Sequence, residues 1–138
     1  MKPTAKSQGK GIFLFNKLSQ VSQWENHSAE NYIVQKYIAD PLLIGGKKFD
    51  IRVYALVTSY SPLTVYLYRN GFARFTHSRY ESQKINQSEI HLTNVAIQKH
   101  AEGYDEIIGG KWYLDKLKIY LCSKYGHEKI NTSFYKIQ

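Results

Sequence analysis

The segment KFDIRVYALVTSY (residues 48–60) places Lys48, Asp50 and Arg52 at every second position. Alternate side chains of an extended strand share a face. A cation, an anion and a cation would therefore line one side, with Phe49, Ile51, Val53 and Ala55 on the other. One account is a ladder of ion pairs along a sheet. The other is a binding face for a ligand carrying phosphate and hydroxyl groups. Lysine would then meet phosphate or base, aspartate would accept from a ribose hydroxyl, and arginine would fork onto an oxyanion.

Four more segments carry chemistry-bearing residues. In KPTAKSQGKGIF, Gly9 and Gly11 flank Lys10, and glycines let backbone amides approach an anion closely. The loop matches neither the P-loop nor the dinucleotide fingerprint, and a solvated basic turn is the alternative. In VQKYI (34–38), backbone groups at a strand end can pair with an adenine edge; an ordinary core strand is the alternative. Arg74 falls mid-strand after a tight turn, rigidly enough to stabilise transition-state charge, or else on an exposed edge. In HLTN (91–94), Thr93 and Asn94 supply neutral hydrogen-bonding groups, or simply a turn. His27, His77, His100 and His127 lack metal-ligand spacing and read as surface residues. Cys122 reads as packing. No Ser-His-Asp pattern or pair of strand-end carboxylates stands out.

These residues need elements to hold them. GIFLF (11–15) reads as a short buried strand. Asn16 caps an expected helix over Lys17–Trp24, with Leu18 and Val21 inward. Glu25–Asn31 is a polar loop, and Tyr32–Ile38 a second strand. Pro41 and Gly45–Gly46 mark a connection. The stretch from Lys48 to about Tyr60 is one long strand. Asn70–Gly71 predicts a hairpin joining Leu63–Arg69 to Phe72–Thr76. Residues 90–100 have mixed character. Gly109–Gly110 precede a helix over Lys111–Tyr125, with Leu114, Leu117 and Leu121 on one side and Gly126 at its stop. The last dozen residues give no strong signal. The expected fold class is α+β with a largely antiparallel central sheet and flanking helices.

The chain has 138 residues, enough for one ordinary domain or part of a larger one. A net charge of +8 favours an acidic partner. No apolar run is long enough to span a bilayer, and MKPTAKSQGKG lacks the apolar segment of a signal peptide. A single cysteine rules out an internal disulfide, so a cytosolic protein without a membrane partner is the economical reading. A basic nucleic-acid binder is set aside: no recognition motif is present, and the aromatics fall in predicted strands, where they read as core.

Taken together, the glycine-lysine loop, VQKYI, GGKKFDIRVYALV, LYRNGFARF, HLTNVAIQKH and GGKWYLDKLKIYL resemble, in this order, the tubulin-tyrosine-ligase-like enzymes. HLTNVAIQK is more similar to the polyglutamylases than to the glycine-adding members, and resembles most the branch of members one and nine. The resemblance implies an ATP-grasp fold and ATP-dependent ligation through an acyl phosphate. Free glutamate would be joined to glutamate side chains in the acidic C-terminal tails of tubulin, on microtubules. It implies that Lys2, Gln8, Gly9, Lys10 and Gly11 hold the ATP phosphates, and that Gln35, Lys36, Tyr37 and Ile38 line the adenine. Lys48 and Asp50 would contact the nucleotide, Asp50 on its ribose side. Arg52 and Arg74 would hold the acyl phosphate and substrate carboxylates. Thr93 and Asn94 would lie beside ATP and the incoming amino acid, with Lys99 toward the substrate. A cytoskeletal location, in cilium or basal body, follows from the resemblance alone.

The resemblance also implies a partial domain, without the family's N-terminal subdomain and without its late acidic segment that binds magnesium. Mg2+ is thus expected in the intact enzyme, with ligands outside this chain. The competing reading is a non-catalytic module that binds acidic tubulin tails or nucleotide.

Overall fold

The computed structural model describes residues 1–25, 31–105 and 110–137. The expected polar loop lies mostly outside the described residues, as do His27 and Gly109. The chain forms two compact units, Met1–Phe49 with Phe75–Gly109, and Asp50–Arg74 with Gly110–Gln138.

In the first unit, β1 (Lys2–Pro3) pairs antiparallel with β2 (Tyr32–Ile33), Lys2 opposite Ile33 and Pro3 opposite Tyr32. The strand expected over Tyr32–Ile38 is thus cut to two residues, because its partner supplies only two. Met1 instead exchanges main-chain bonds with Phe13, at 2.7 and 3.1 Å. GIFLF forms no strand: Ile12 N–H turns back onto Gly9 O at 3.2 Å, and only Phe13 finds an extended partner. Helix α1 (Ser19–Glu25) starts later than expected. The Asn16 and Lys17 amides donate to Gln20 Oε1 at 3.0 and 3.1 Å, so a side chain reaching back from inside the helix satisfies them. Leu18, expected inward, precedes the helix and is exposed.

Strand β3 (Leu43–Ile44) pairs antiparallel with the start of β4 (Lys47–Arg52), Ile44 opposite Lys47 and Leu43 opposite Lys48. Gly45 and Gly46 have φ of +60° and +73°, the requirement of a two-residue primed hairpin turn. This pair, read from sequence as a breaker, is therefore the hairpin turn. Two short helices follow, α2 (Ser88–His91) and α3 (Val95–Gln98). Ile44, Phe75, Ile90 and Ala101 form the buried apolar centre of this unit, with the Phe49 and Phe75 rings 5.3 Å apart.

In the second unit, β5 (Ala55–Tyr60) and β6 (Leu63–Leu67) make a two-stranded antiparallel ribbon, Ala55 opposite Leu67 and Tyr60 opposite Leu63. The long strand expected over 48–60 is broken at Val53–Tyr54. The Tyr54 carbonyl accepts the Tyr68 amide at 2.8 Å, which hands the chain to the new partner. Ala55, placed by sequence on a core face, is exposed on this ribbon. Strand β7 (Phe72–Phe75) pairs not with β6 but with β8 (Lys111–Tyr113), Phe72 opposite Tyr113 and Arg74 opposite Lys111. Asn70–Gly71 is accordingly no hairpin turn, and neither residue has positive φ. Gly71 serves close approach instead: a Cβ there would sit 2.3 Å from the Arg52 carbonyl oxygen.

Residues 111–113 were expected to open the late helix, but they are drawn into β8 by the ladder that β7 offers. Helix α4 (Leu114–Tyr125) then runs to Gly126, φ +90°. Helix α5 (His127–Ile137) was not expected; it contributes Ile130 and Phe134 to a core with Leu117, Leu121 and Cys122. The ribbon leaves Leu56, Tyr60, Leu63, Tyr66 and Tyr68 exposed. These tyrosines are therefore not core, which removes one argument raised against nucleic acid. The fold is mixed helix and antiparallel sheet, as expected.

Candidate functional site

The first unit gathers three of the sequence segments. The glycine-lysine loop is built from two successive turns, Lys10 N–H to Ser7 O at 3.1 Å and Ile12 N–H to Gly9 O at 3.2 Å. Gln8, at φ +61°, is the one non-glycine residue of positive φ among those described, a conformation that is uncommon and worth a functional look. The loop touches HLTN directly. A Cβ on Gly9 would lie 2.6 Å from Ile97 Cδ1 and 3.2 Å from Asn94 Oδ1, and φ there is +82°, so glycine suits this close approach.

Lys48 ties the other two segments together. Its Nζ donates to the Tyr37 hydroxyl at 3.0 Å and to the His91 carbonyl at 2.9 Å, and sits 4.6 Å from the Tyr37 ring centroid. The Tyr37 hydroxyl lies 2.9 Å from His91 Nδ1, and His91 Nε2 lies 3.0 Å from the Lys84 carbonyl. His91 is buried. Burial foremost, with the Lys48 charge adding, pushes its pKa below the ordinary value of 6.5, against the opposing pull of the Lys84 carbonyl. Burial and the neighbouring Tyr80 hydroxyl push the Tyr37 pKa well above the ordinary phenol value. At neutral pH both side chains are therefore uncharged, and Lys48 is the cation of the group.

Buried polar groups hold this frame. Gln98 Oε1 accepts the His77 amide at 2.6 Å, while Gln98 Nε2 donates to Glu89 O at 2.8 Å and to Leu92 O. Thr76 Oγ1 accepts the Lys48 amide at 3.2 Å and donates to Ser78 O at 2.9 Å. Tyr80 donates to Ala39 O at 2.7 Å, anchoring the segment after Ile38. The sequence reading missed His91, Gln98 and Thr76. Their signal is only a polar residue amid apolar neighbours, which is also what an exposed turn looks like.

The second unit holds a separate polar pair. Arg74 donates through Nε to Asp50 Oδ1 at 2.8 Å and through Nη2 to Asp50 Oδ2. This bidentate bond raises the Arg74 pKa further above its ordinary value. Of the ion-pair ladder weighed from sequence, one pair is present, Asp50 with Arg74. Arg52 is exposed.

Of the remaining predicted residues, Lys2 is exposed in β1, and its partner Ile33 leads into the adenine-edge candidate. Gln8, Lys10, Gln35, Lys36 and Ile38 are exposed, and Val34 is 64% exposed, so VQKYI is not a core strand. Thr93 is buried, Asn94 half-buried and Lys99 exposed. Among the described residues no group of three His, Cys, Asp or Glu could hold a metal ion. No helix among them is long and apolar enough to cross a membrane.

A family model of the tubulin-tyrosine ligase family matches residues 1–137. The chain belongs to the tubulin-tyrosine ligase family. Among its relatives, the probable tubulin polyglutamylase ttll-9 of Caenorhabditis elegans is 48% identical over 138 aligned positions, 96% of this chain and 33% of the relative. The probable alpha-tubulin polyglutamylase Ttll1 of Tetrahymena thermophila is 47% identical, covering 97% and 35%. The probable tubulin polyglutamylase TTLL9 of Bos taurus is 41% identical, covering 97% and 37%. The chain thus spans about a third of the length of these relatives.

Proposed function

We propose that this chain carries the nucleotide-holding and substrate-holding residues of an ATP-dependent ligase that adds glutamate to glutamate side chains of acidic tubulin tails, on an ATP-grasp framework. The observation that carries the reading is the Lys48 network. One half-buried cation is fixed jointly by Tyr37, from the adenine segment, and by His91, from HLTN. A fixed cation costs no reorganisation when a phosphate arrives.

Gln35, Lys36, Tyr37 and Ile38 would line the adenine, and Lys48 and Asp50 the nucleotide. Lys2 and the loop of Gln8, Gly9, Lys10 and Gly11 would hold the phosphates, and Thr93 and Asn94 would lie beside ATP and the incoming amino acid. The adjacency of Gly9 and Asn94 supports this grouping. In the reaction, a tail carboxylate oxygen attacks the γ-phosphorus and ADP leaves. The amine of free glutamate then attacks the acyl carbon, loses a proton, and expels phosphate. Arg52 and Arg74 would hold the acyl phosphate and substrate carboxylates, with Lys99 toward the substrate. The Asp50 grip uses Nε and Nη2 of Arg74, so the opposite Nη1 edge is the one for an oxyanion. Magnesium would neutralise phosphate charge when bound, but no described residue is assigned to it, and no step here runs through it.

The acidic substrate fits the charge distribution. Nine of the 19 Lys and Arg residues but only three of the 11 Asp and Glu fall in the second unit. A field of that sign draws an acidic chain toward it. A place on the cytoskeleton, in cilium or basal body, goes with this substrate.

Isothermal titration with a non-hydrolysable ATP analogue tests the reading. Binding is expected, weakened about tenfold or more in Lys48→Ala. No binding by the parent chain would remove the nucleotide reading. For the substrate, association with microtubules is expected to vanish after the tubulin tails are clipped off.

A further inference from the structure

The reading above uses only the His91 carbonyl; its imidazole is among the most buried polar side chains described and the centre of a chain of hydrogen bonds. The direction follows from one fixed point. The Lys84 carbonyl can only accept, so His91 Nε2, 3.0 Å away, carries the ring proton. The ring is neutral, so Nδ1 is an acceptor, and the Tyr37 hydroxyl at 2.9 Å donates to it. The Tyr37 oxygen keeps lone-pair density for Lys48 Nζ at 3.0 Å, while the neighbouring Tyr80 hydroxyl, whose own proton goes to Ala39 O, is a second acceptor that competes with Nδ1 for the Tyr37 proton. The ammonium is at the positive end of this chain.

We propose that His91 is a positioning residue: by fixing the Tyr37 hydroxyl rotor, it holds the Lys48 ammonium in one place for a phosphate-bearing or nucleobase ligand. The positioning claim stands on the unliganded geometry, and only its ligand rests on the nucleotide reading. The chain also links three segments distant in sequence, so local order at Lys48 depends on the loop that carries Lys84. The other oriented neighbours are Tyr80, whose ring stands edge-on to His91 at 5.5 Å, and Glu89.

Two substitutions separate positioning from packing. His91→Asn puts an oxygen near the place of Nδ1, keeps an acceptor for Tyr37, and drops the bond to Lys84. His91→Gln reaches toward Lys84 and drops the acceptor. Both lose the ring, so both lower the melting temperature. Nitrogen-15 NMR of the unliganded chain is expected to show His91 with the proton on Nε2, and a slowly exchanging Lys48 ammonium. That ammonium signal is kept in His91→Asn and lost in His91→Gln and Tyr37→Phe. Affinity for the ATP analogue is expected to fall about tenfold in His91→Gln and in Tyr37→Phe, by no more in the double variant, and by much less in His91→Asn.

Equal losses in Asn and Gln variants, additive losses in the double variant, or the proton on Nδ1 would each overturn the proposal. A parent chain that shows the ordered ammonium but binds no ATP analogue would overturn the nucleotide reading and leave the positioning role standing.

Discussion

Arg74 and Asp50 meet in a two-point bond, Nε to Oδ1 and Nη2 to Oδ2, between the neighbouring strands β7 and β4. The side chain of Arg74 is 17% exposed and that of Asp50 39%. The pair is therefore neither a loose surface contact nor a fully desolvated one. It sets the plane of the guanidinium before any substrate arrives. A planar fork held on one edge presents the opposite edge at a fixed angle, which a lysine could not do.

This arrangement makes Arg74 dependent on Asp50. Asp50→Asn keeps the shape but removes the charge and part of the acceptor set. It should cost about 1–2 kcal/mol, between the surface and buried limits for ion pairs. Chemical denaturation of the two single variants and of the double Asp50→Asn, Arg74→Gln gives the coupling. A coupling indistinguishable from zero would mean that the contact does not hold the guanidinium.

The Asn70–Gly71 and Gly45–Gly46 pairs differ in why they resist substitution. At Gly71 a Cβ would lie 2.3 Å from a backbone oxygen that cannot move aside, so Gly71→Ala should destabilise by about 2 kcal/mol or more. At Gly45 there is open space but φ is +60°, so Gly45→Ala should cost only about 1–2 kcal/mol from strain. Asn70→Ala should be almost silent, since Asn70 has no positive φ to support. Thermal denaturation of the three variants checks the order. A large loss at Asn70 would restore the hairpin reading of that pair.

Those same residues show what could and could not be read from sequence. Asn-Gly is a hairpin signal because both residues tolerate positive φ, but tolerance is not obligation. At 70–71 the glycine was needed for room beside Arg52, which depends on a strand far earlier in the chain and leaves no local trace. Gly45–Gly46 carried the same potential and used it. The alternating charges of residues 48–52 were legible because the strand period is local, whereas the grouping of loop, strand and HLTN as one set came only from the family resemblance. What each charge binds was not legible: Lys48 turns to Tyr37 and His91, and Asp50 to Arg74, each choice fixed by a partner far along the chain. Helix α5 was obscured for a different reason. Its Ser133 and Thr132 hydroxyls bond back to carbonyls four residues earlier, Lys129 at 2.9 Å and Glu128 at 3.0 Å. Such residues also favour turns, so only the Ile130–Phe134 spacing marked the helix.

That spacing can be tested through the core it serves. Leu117 of α4 is fully buried, and Phe134 of α5 nearly so. Leu117→Ala should cost about 2–5 kcal/mol and Phe134→Ala about 3–5 kcal/mol. Ile119→Ala, on the exposed side of α4, should change stability by less than about 0.5 kcal/mol. The comparison is read in urea midpoints. Equal effects at Ile119 and Leu117 would mean that the two helices do not pack by the faces described.

The acid response of the chain follows from His91. Its folded pKa lies below 6.5, so in the folded state it takes up a proton less readily than in the unfolded chain. Above pH 6.5 neither state protonates it, and its neutral bonds to Tyr37 and Lys84 are fully present. As pH falls through 6.5, the unfolded chain binds the proton first and is favoured. The loss grows until the lowered folded pKa is reached, with a slope of at most about 1.4 kcal/mol per pH unit for one proton. Lys48 sharpens this by repelling an imidazolium, while Glu89 and the Lys84 carbonyl oppose it. Melting temperatures of the parent should therefore drop between pH 7 and pH 5.5. His91→Asn, which cannot titrate, should start lower but lose less over the same interval. An unchanged slope in His91→Asn would show that the buried imidazole is not the group that acid attacks.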